Sequence, residues 1–159
     1  MTTDLARYTV SDDPALLDLD VVHRYLATES YWAQHIPRDL VERSVRHSLC
    51  FGVYHHNDDS VDAGERGTQV GFARVISDRA TFAWLADVFV LEAHRGRGLS
   101  KRLMRAVLDH PDLTNLRRWM LATWDAHELY RQFGFNGPAR PDRLMERHTP
   151  DLYRPPADG

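Results

Sequence analysis

The amino-acid sequence predicts an α/β (α+β) fold in which helices flank a mixed central sheet. Short apolar runs rich in β-branched and aromatic residues are typical of strands, and apolar residues repeated every three or four positions are typical of a helix face. After residue 81 these two patterns alternate as strand, helix, strand, helix. That order favours adjacent parallel strands with right-handed connections. The length of 159 residues, with 43% hydrophobic and 27% charged residues, indicates one domain over 1–159.

The first half of the chain predicts a strand, two helices and a hairpin. The second helix is expected to begin after Pro37, which suits the first turn of a helix. A polar loop over 57–67, rich in Asp and Gly, is expected to join the hairpin strands. In chain order, the strand, the two helices and the two hairpin strands are predicted at 7–10, 16–27, 38–46, 50–54 and 69–76.

The second half predicts the longest strand, a helix, another strand and a helix that carries Tyr130. The first three of these are predicted at 81–91, 98–109 and 119–123. Leu144 and Met145 indicate a last edge strand. The tail from about residue 149 is expected to be mobile, because chain termini with prolines are seldom tied down.

A basic turn with two glycines separates the longest strand from the helix that follows it. Gly96 and Gly98 lack a Cβ, so the backbone can adopt unusual dihedral angles and approach a ligand closely. The N–H groups of the first helical turn, together with the positive end of the helix dipole, favour a phosphate. Arg95, Arg97 and Lys101 add positive charge, which suits a pyrophosphate. The alternative is a plain tight turn with a solvated basic surface.

The spacing of this turn excludes two common phosphate loops. A dinucleotide-binding loop needs a third glycine where this chain has Lys101, and a nucleoside-triphosphate loop needs Gly-Lys-Ser/Thr. The pattern Arg-x-x-Gly-x-small over 95–100 resembles the acetyl-CoA-binding motif of the GCN5-related N-acetyltransferase (GNAT) superfamily, with Ser100 in place of its usual Gly or Ala. The resemblance implies a mixed, mostly antiparallel central sheet flanked by helices.

The same resemblance implies a set of residues that bind acetyl-CoA. The backbone N–H groups of Phe89 and Val90 would bind the pantetheine and polarise the thioester carbonyl, a type of contact typically worth about 3 kcal/mol of barrier. Thr123 stands where many members have asparagine. The turn itself would bind the pyrophosphate through Arg95, Gly96, Arg97, Gly98, Leu99, Ser100 and Lys101.

A second segment, residues 126–135, is similar to the later motif of that family, Ala-x-x-Leu-Tyr-x-x-x-Gly-Phe. Its residues predict a helix capped by Asp125, with Glu128 in a capping box and Gly134 at the C-terminal end. In the family the matching tyrosine protonates the departing CoA thiolate, so Tyr130 is the first catalytic candidate. The alternative is a half-buried core tyrosine with a satisfied hydroxyl.

Asp87 interrupts the otherwise apolar strand over 81–91. Burial should raise the pKa of its carboxyl group unless a donor keeps it ionised. Members of the resembled family often have an acidic residue on the matching strand that deprotonates the amine, directly or through water. Asp87 is therefore a candidate base, and the alternative is a structural carboxylate bonded to a neighbouring backbone group or to Arg74.

Aromatic residues could line a cleft for a cationic or aryl amine, and the candidates are Tyr31, Trp32, Phe82, Trp84 and Trp124. Core packing is the alternative for each of them. The histidines His47, His55, His56 and His127 match no standard metal spacing, so no metal is expected.

Composition excludes several function classes. A net charge of −3 does not favour nucleic-acid binding, and the apolar runs are too short to cross a bilayer. The single Cys50 indicates a reducing, cytoplasmic location and is a poor candidate for a nucleophile. The reading that follows is an N-acetyltransferase that moves an acetyl group from acetyl-CoA to a primary amine of a small molecule by direct attack. A protein or peptide acetyltransferase and a non-catalytic CoA-binding module are the alternatives, and a homodimer is compatible with the sequence.

Overall fold

A computed structural model of the protein describes residues 5–57 and 66–157 and contains a five-stranded sheet in the order β1-β2-β3-β4-β5. Strands β1 to β4 pair with one another in antiparallel fashion, and β5 is parallel to β4. This confirms the predicted mixed, mostly antiparallel sheet. The strands are β1 (Tyr8–Ser11), β2 (Leu49–His55), β3 (Thr68–Ser77), β4 (Phe82–Val90) and β5 (Arg118–Leu121).

Four α-helices accompany the sheet, at α1 (Leu19–Arg24), α2 (Arg38–Arg46), α3 (Leu99–Leu108) and α4 (His127–Arg131). Helix α2 has the predicted range, and α3 and α4 lie within a few residues of their predicted positions. Helix α1 differs more. There the side chain of Asp18 accepts hydrogen bonds from the N–H groups of Asp20 and Val21, at 3.0 and 3.3 Å. Because this cap fixes the start of the helix, the predicted helix over 16–27 begins at Leu19 and ends in a π-helical turn over Tyr25–Glu29.

The predicted edge strand at Leu144 and Met145 is wrong. No strand is assigned from residue 122 to residue 157, and the side chain of Met145 is 99% exposed. Two apolar residues after the short turn Pro141–Arg143 leave too little alternation to fix a strand register. Most of the predicted polar loop over 57–67 lies outside the described residues. Residues 149–152 form a turn, closed by a hydrogen bond from the N–H of Leu152 to the carbonyl of Thr149; mobility of the tail stays a prediction.

The sheet is covered on both faces, because alternate residues of each central strand point to opposite sides. Helix α3 packs on one face through its buried side chains Leu99, Leu103, Met104 and Val107. A second buried cluster combines Val22 and Leu26 with Val41 of α2 and Phe72 and Phe89 of the sheet. The predicted apolar face of α3 is therefore confirmed.

A β-bulge in β4 opens the sheet beside β5. Phe72 pairs with Phe89 and Arg74 pairs with Ala86, so one residue of β3 faces two residues of β4. Asp87 lies in this bulge with φ 53°. The pairing of β4 with β5 ends at Leu85, so the rest of β4 has a free edge. Bulges bend a strand and often accompany active sites, and this one creates an opening between two parallel strands.

Gly52 gives a stability prediction. A Cβ atom at this position would lie 2.2 Å from the hydroxyl oxygen of Tyr54, whose side chain is 2% exposed and cannot easily move. We expect Gly52→Ala to lower the free energy of unfolding by about 1–3 kcal/mol, the usual cost of overpacking a core. Denaturant unfolding measures this loss. The matched control is Gly137→Ala, where a Cβ meets nothing within 4 Å; equal losses in the two variants would contradict the packing argument.

Candidate active site

The turn between β4 and α3 is built to receive an anion. Gly96 and Gly98 have φ angles of 75° and 79°, and a Cβ at either position would meet nothing within 4 Å. Only glycine adopts this backbone region readily, so the two glycines shape the turn. Within the described residues, no hydrogen bond occupies the backbone N–H groups of Leu99, Ser100 or Lys101. These N–H donors belong to the first turn of α3, where the helix dipole is positive. We call residues 96–101 the cradle.

The side chains of the cradle play unequal parts. Those of Arg97 and Lys101 are exposed beside the N–H groups, where they add positive charge. The side chain of Leu99 is buried in the core, which leaves only its backbone for a ligand. Arg95 extends back toward the sheet: its Nε donates to the carbonyl of Val90 at 2.9 Å, and its Nη2 donates to the hydroxyl of Tyr25 at 3.1 Å. Arg95 therefore fixes the end of β4.

Tyr25 is a residue that sequence reasoning missed. Its ring stacks on Phe89 with a centroid distance of 3.9 Å and an interplanar angle of 12°. Its hydroxyl accepts from Arg95, so it links the strand end to the turn that begins the cradle. No motif contains Tyr25, and its place in a predicted helix gave no sign of this contact.

The register of β4 distinguishes the two backbone donors predicted for the pantetheine. The N–H of Leu91 donates to the carbonyl of Val70, so Leu91 faces β3. Because backbone groups alternate along an antiparallel ladder, the N–H of Phe89 also faces β3 and that of Val90 faces away from it. The carbonyl of Val90 accepts from Arg95, in agreement with this orientation. Of the two, Val90 is the donor available at the open edge of β4.

Helix α4 carries Tyr130, and its ends differ in how well they were predicted. Gly134 has φ 87°, its N–H donates to the carbonyl of Arg131, and the N–H of Phe135 donates to the carbonyl of Tyr130. These paired bonds form a Schellman motif and confirm Gly134 as the predicted stop. At the N-terminal end, the predicted cap by Asp125 is wrong.

The first turn of α4 is held by other groups than the predicted capping box. The cap position is Ala126, whose N–H donates to Thr123 Oγ1 at 3.1 Å. Glu128 does not reach back to the cap, because its carboxylate pairs with Arg131 one turn further on. Thr123 thus has a structural bond in addition to its predicted contact with CoA.

The Tyr130 side chain is 8% exposed and makes no hydrogen bond with another described residue through its hydroxyl group. Burial, with smaller contributions from Tyr31 and Asp125, raises the pKa of Tyr130 to about 12. The phenol is therefore protonated at neutral pH and able to donate a hydrogen bond. Tyr130 lines a cavity of about 810 Å³ and also a second one of about 680 Å³ beside β5.

The larger cavity brings most of the predicted site residues together. It extends from the segment between α1 and α2, across the bulge in β4, to the segment after β5. Tyr153 of the tail also lines it, although no pattern in the sequence singled that residue out. The predicted residues that line this cavity are Tyr31, Trp32, Trp84, Asp87, Thr123, Trp124 and Tyr130.

The aromatic candidates lie at the cavity surface more than in the core. Tyr31 is 44% exposed, Trp32 is 40% exposed and Trp124 is 75% exposed. For these three residues the structure favours the cleft interpretation over the core interpretation.

Asp87 is held by two donors. Arg74 Nε donates to one carboxylate oxygen at 2.7 Å, and Trp32 Nε1 donates to the other at 2.8 Å. The side chains of Asp87 and Arg74 are only 10% and 16% exposed. Because both carboxylate oxygens already accept charged or polar N–H groups, the geometry favours the structural role over that of a direct base.

Asp87→Asn is expected to lower the free energy of unfolding by about 2–3 kcal/mol, since it leaves the charge of Arg74 without its partner. The amide keeps a carbonyl oxygen for Trp32, and asparagine tolerates the positive φ of the bulge. Thermal or denaturant unfolding checks this. The control is Asp20→Asn, which breaks an exposed ion pair with Arg38 and should change stability little. Unchanged stability of Asp87→Asn together with a large loss of kcat would instead identify Asp87 as the base.

Metal-ligating side chains do not cluster among the described residues. No group of three or more His, Cys, Asp or Glu side chains there could hold a metal ion. Burial raises the pKa of the Cys50 thiol to about 12, so little thiolate is present at neutral pH. No helix in the described ranges 5–57 and 66–157 has the length and apolar character to cross a membrane.

Comparison with known proteins places this geometry in a family. The sequence profile of the Acetyltransferase (GNAT) domain matches residues 46–136. A curated protein of Gibberella zeae, named "Putative acetyltransferase FG08082", is 33% identical in an alignment of 133 residues that covers 77% of this chain and 75% of that protein.

Solved structures agree with the sequence matches. A crystal structure from Xanthomonas campestris pv. campestris, described as a "putative acetyltransferase belonging to the gnat family", is 55% identical, has a TM-score of 0.84, and is matched over 93% of this chain and 97% of that one. A GNAT family acetyltransferase from Elizabethkingia anophelis, solved with acetyl-CoA bound, shares the fold with a TM-score of 0.57 at 13% identity, over 82% of this chain and 76% of that one. The chain belongs to the GNAT acetyltransferase family.

Proposed function

We propose that the protein transfers an acetyl group from acetyl-CoA to a primary amine of a small molecule, by direct attack in a ternary complex. The observation that carries this proposal is the succession of three features along β4: residues 84–88 line the cavity that contains Tyr130, the strand then has an open edge, and the cradle follows its end. The Elizabethkingia anophelis relative binds acetyl-CoA, and the residues of this chain fit the same substrate. The cradle offers N–H donors and positive charge for the diphosphate.

The reaction would use the open edge of β4 to position the thioester. The N–H of Val90 faces this edge and would bind the pantetheine, which directs the thioester toward the bulge and Tyr130. A neutral amine attacks the carbonyl carbon, a C–N bond forms and the C–S bond breaks. Tyr130 donates a hydrogen bond to the leaving sulfur. The proton that the nitrogen loses balances the one that converts the thiolate to the thiol.

The shape of the larger cavity supports a small acceptor. Its volume of about 810 Å³ lies within the usual range of small-molecule sites, roughly 300–1,000 Å³. Aromatic side chains from the segment before α2 and the segment after β5 line it, and Tyr153 lines it as well.

We assign the reaction to the cytoplasm because the single thiol of the chain, that of Cys50, is buried and unpaired.

A thiol-release screen tests the function. The protein is incubated with acetyl-CoA and amines, aminoglycosides, amino acids or peptides, and free CoA is measured. We expect release that depends on a small amine, with an N-acetyl product of matching mass. Release with peptides alone would indicate a protein acetyltransferase, and tight CoA binding without transfer to any amine would indicate a non-catalytic module. Either outcome would overturn the proposal.

A further inference from the structure

We infer that Tyr31, Trp32 and Trp124 form an aromatic box that binds a second, cationic group of the acceptor, separate from the amine that is acetylated. This inference rests on the proposed function and deepens it, because it names the chemical class of the acceptor. The substrate class is an aliphatic amine with a quaternary or protonated ammonium at its other end.

The three rings are arranged around Tyr31. The ring of Tyr31 is nearly perpendicular to those of Trp32 and Trp124, at centroid distances of 5.0 Å each and interplanar angles of 82° and 83°. All three residues line the larger cavity. Several aromatic rings set at steep angles around one space are the arrangement by which proteins bind ammonium groups, since each ring face carries negative charge density.

The box is held in place without being buried. Trp32 Nε1 donates to Asp87 on β4, and Tyr31 accepts from the backbone N–H of Trp124 at 2.9 Å. These bonds fix the rings on both sides of the opening between β4 and β5. Yet the three side chains are 40–75% exposed, so burial in a core does not account for them. Rings that are ordered and exposed offer a preformed surface, which lowers the cost of binding.

The charged side chains that line the cavity are of both signs. Asp125 lines the same cavity directly after Trp124 and is exposed. Asp87 and Arg74 neutralise each other behind Trp32. Arg43 and His47, the basic side chains of α2, line the cavity as well. They would favour an anion, so the test must include one.

The box lies next to the reacting position. Tyr31 and Asp125 line the same cavity as the phenol of Tyr130. A cationic group in the box is therefore separated from the reacting amine by a short aliphatic chain. This proximity also explains how the box could select the acceptor without taking part in the chemistry.

Three acceptors of equal length test the inference: (5-aminopentyl)trimethylammonium, its neutral isostere 6,6-dimethylheptylamine, and 6-aminohexanoate. We expect kcat/KM for the trimethylammonium compound to exceed that for the isostere by about 10-fold or more, the size of a partly desolvated cation–π contact. The carboxylate compound should be the poorest. Equal kcat/KM values for the first two acceptors would overturn the inference. A higher kcat/KM for the carboxylate compound would also overturn it and would point to recognition at Arg43.

Trp124→Leu is the informative variant. It keeps the backbone N–H that bonds Tyr31 and removes the most exposed ring, so folding should be intact. We expect the ratio of the two kcat/KM values to fall to within about 2-fold of unity, as loss of the cation–π term requires. Phe82→Leu is the matched control, because Phe82 is 37% exposed and lies outside this cavity; its ratio should equal that of the unmodified protein.

Binding of tetramethylammonium, followed by tryptophan fluorescence, separates this inference from the proposed function. If no amine is acetylated but the cation binds and Trp124→Leu abolishes that binding, the function fails and the box stands. If amines are acetylated without any preference for the cationic acceptor, the function stands and the box fails. Absence of both transfer and cation binding overturns the two together.

Discussion

Gly98→Glu is expected to abolish coenzyme A binding. The backbone at Gly98 has φ 79°, which strains any residue with a Cβ, and the added side chain would project into the space where a Cβ now meets nothing within 4 Å. A carboxylate there would face a diphosphate of the same sign in front of the N–H groups of α3. Like charges placed together in an interface cost several kcal/mol, so we expect Kd for CoA to rise by at least ~100-fold, which is about 3 kcal/mol.

Isothermal titration calorimetry with CoA measures this effect, and two controls separate its causes. Gly98→Ala adds backbone strain without charge and should weaken binding far less than the glutamate. Gly137→Glu adds the same charge at a glycine that also has open space around it but lies outside the cradle, and should leave Kd unchanged. Tight binding of CoA by Gly98→Glu, with a normal unfolding transition, would show that the diphosphate binds elsewhere.

The cradle and the end of α4 were predictable because their causes are local. At the cradle, the glycines, the basic residues and the start of α3 lie within a few positions of one another, so backbone freedom and helix geometry determine the result. Likewise, α4 ends at Gly134 because the N–H groups of Gly134 and Phe135 donate to carbonyls that lie within five residues of them. The prediction that Asp125 caps α4 failed because the cap position is Ala126, and no described side chain caps the helix there.

The positions of Asp87 and Arg95 were not predictable, because their partners come from distant parts of the chain. Asp87 meets Trp32 across 55 positions, and Arg95 meets Tyr25 across 70. A carboxylate in an apolar strand does indicate an unusual site, and aspartate tolerates a positive φ. Only the pairing of β3 with β4 shows that this residue forms the bulge. The sequence therefore singled out Asp87, which lines the larger cavity, but left its two possible roles open.

The aromatic box shows the same limit for the acceptor. Tyr31 and Trp32 are adjacent in sequence. Trp124, whose N–H donates to the Tyr31 hydroxyl, is 93 positions from Tyr31. Aromatic residues bury most of the area in protein cores, so composition alone favours a core role. Their exposure in one cavity reverses that expectation, and only the folded structure shows it.

Tyr130→Phe is expected to lower kcat by about 100-fold, the lower end of the range for loss of a positioned proton donor. The KM for acetyl-CoA and the Kd for CoA should change little, because the hydroxyl acts only as the sulfur departs. Stability should also be nearly unchanged, since the hydroxyl bonds to no other described residue and the ring keeps its contact with Phe135. Steady-state kinetics, calorimetry and thermal unfolding check these three expectations.

The pH dependence gives a second test of the same role. The phenol acts in its protonated form, and burial raises the pKa of Tyr130 to about 12. Its contribution to kcat is therefore complete at neutral pH and is lost only as the pH rises toward that value. At pH 10 only roughly 1% of the phenol is ionised, so the unmodified protein should show no alkaline decline in kcat below that pH from this group. If kcat declines near pH 8–9 and Tyr130→Phe removes that decline, the phenol ionises far more easily than we expect. If kcat of Tyr130→Phe equals that of the unmodified protein at every pH, Tyr130 is not the donor.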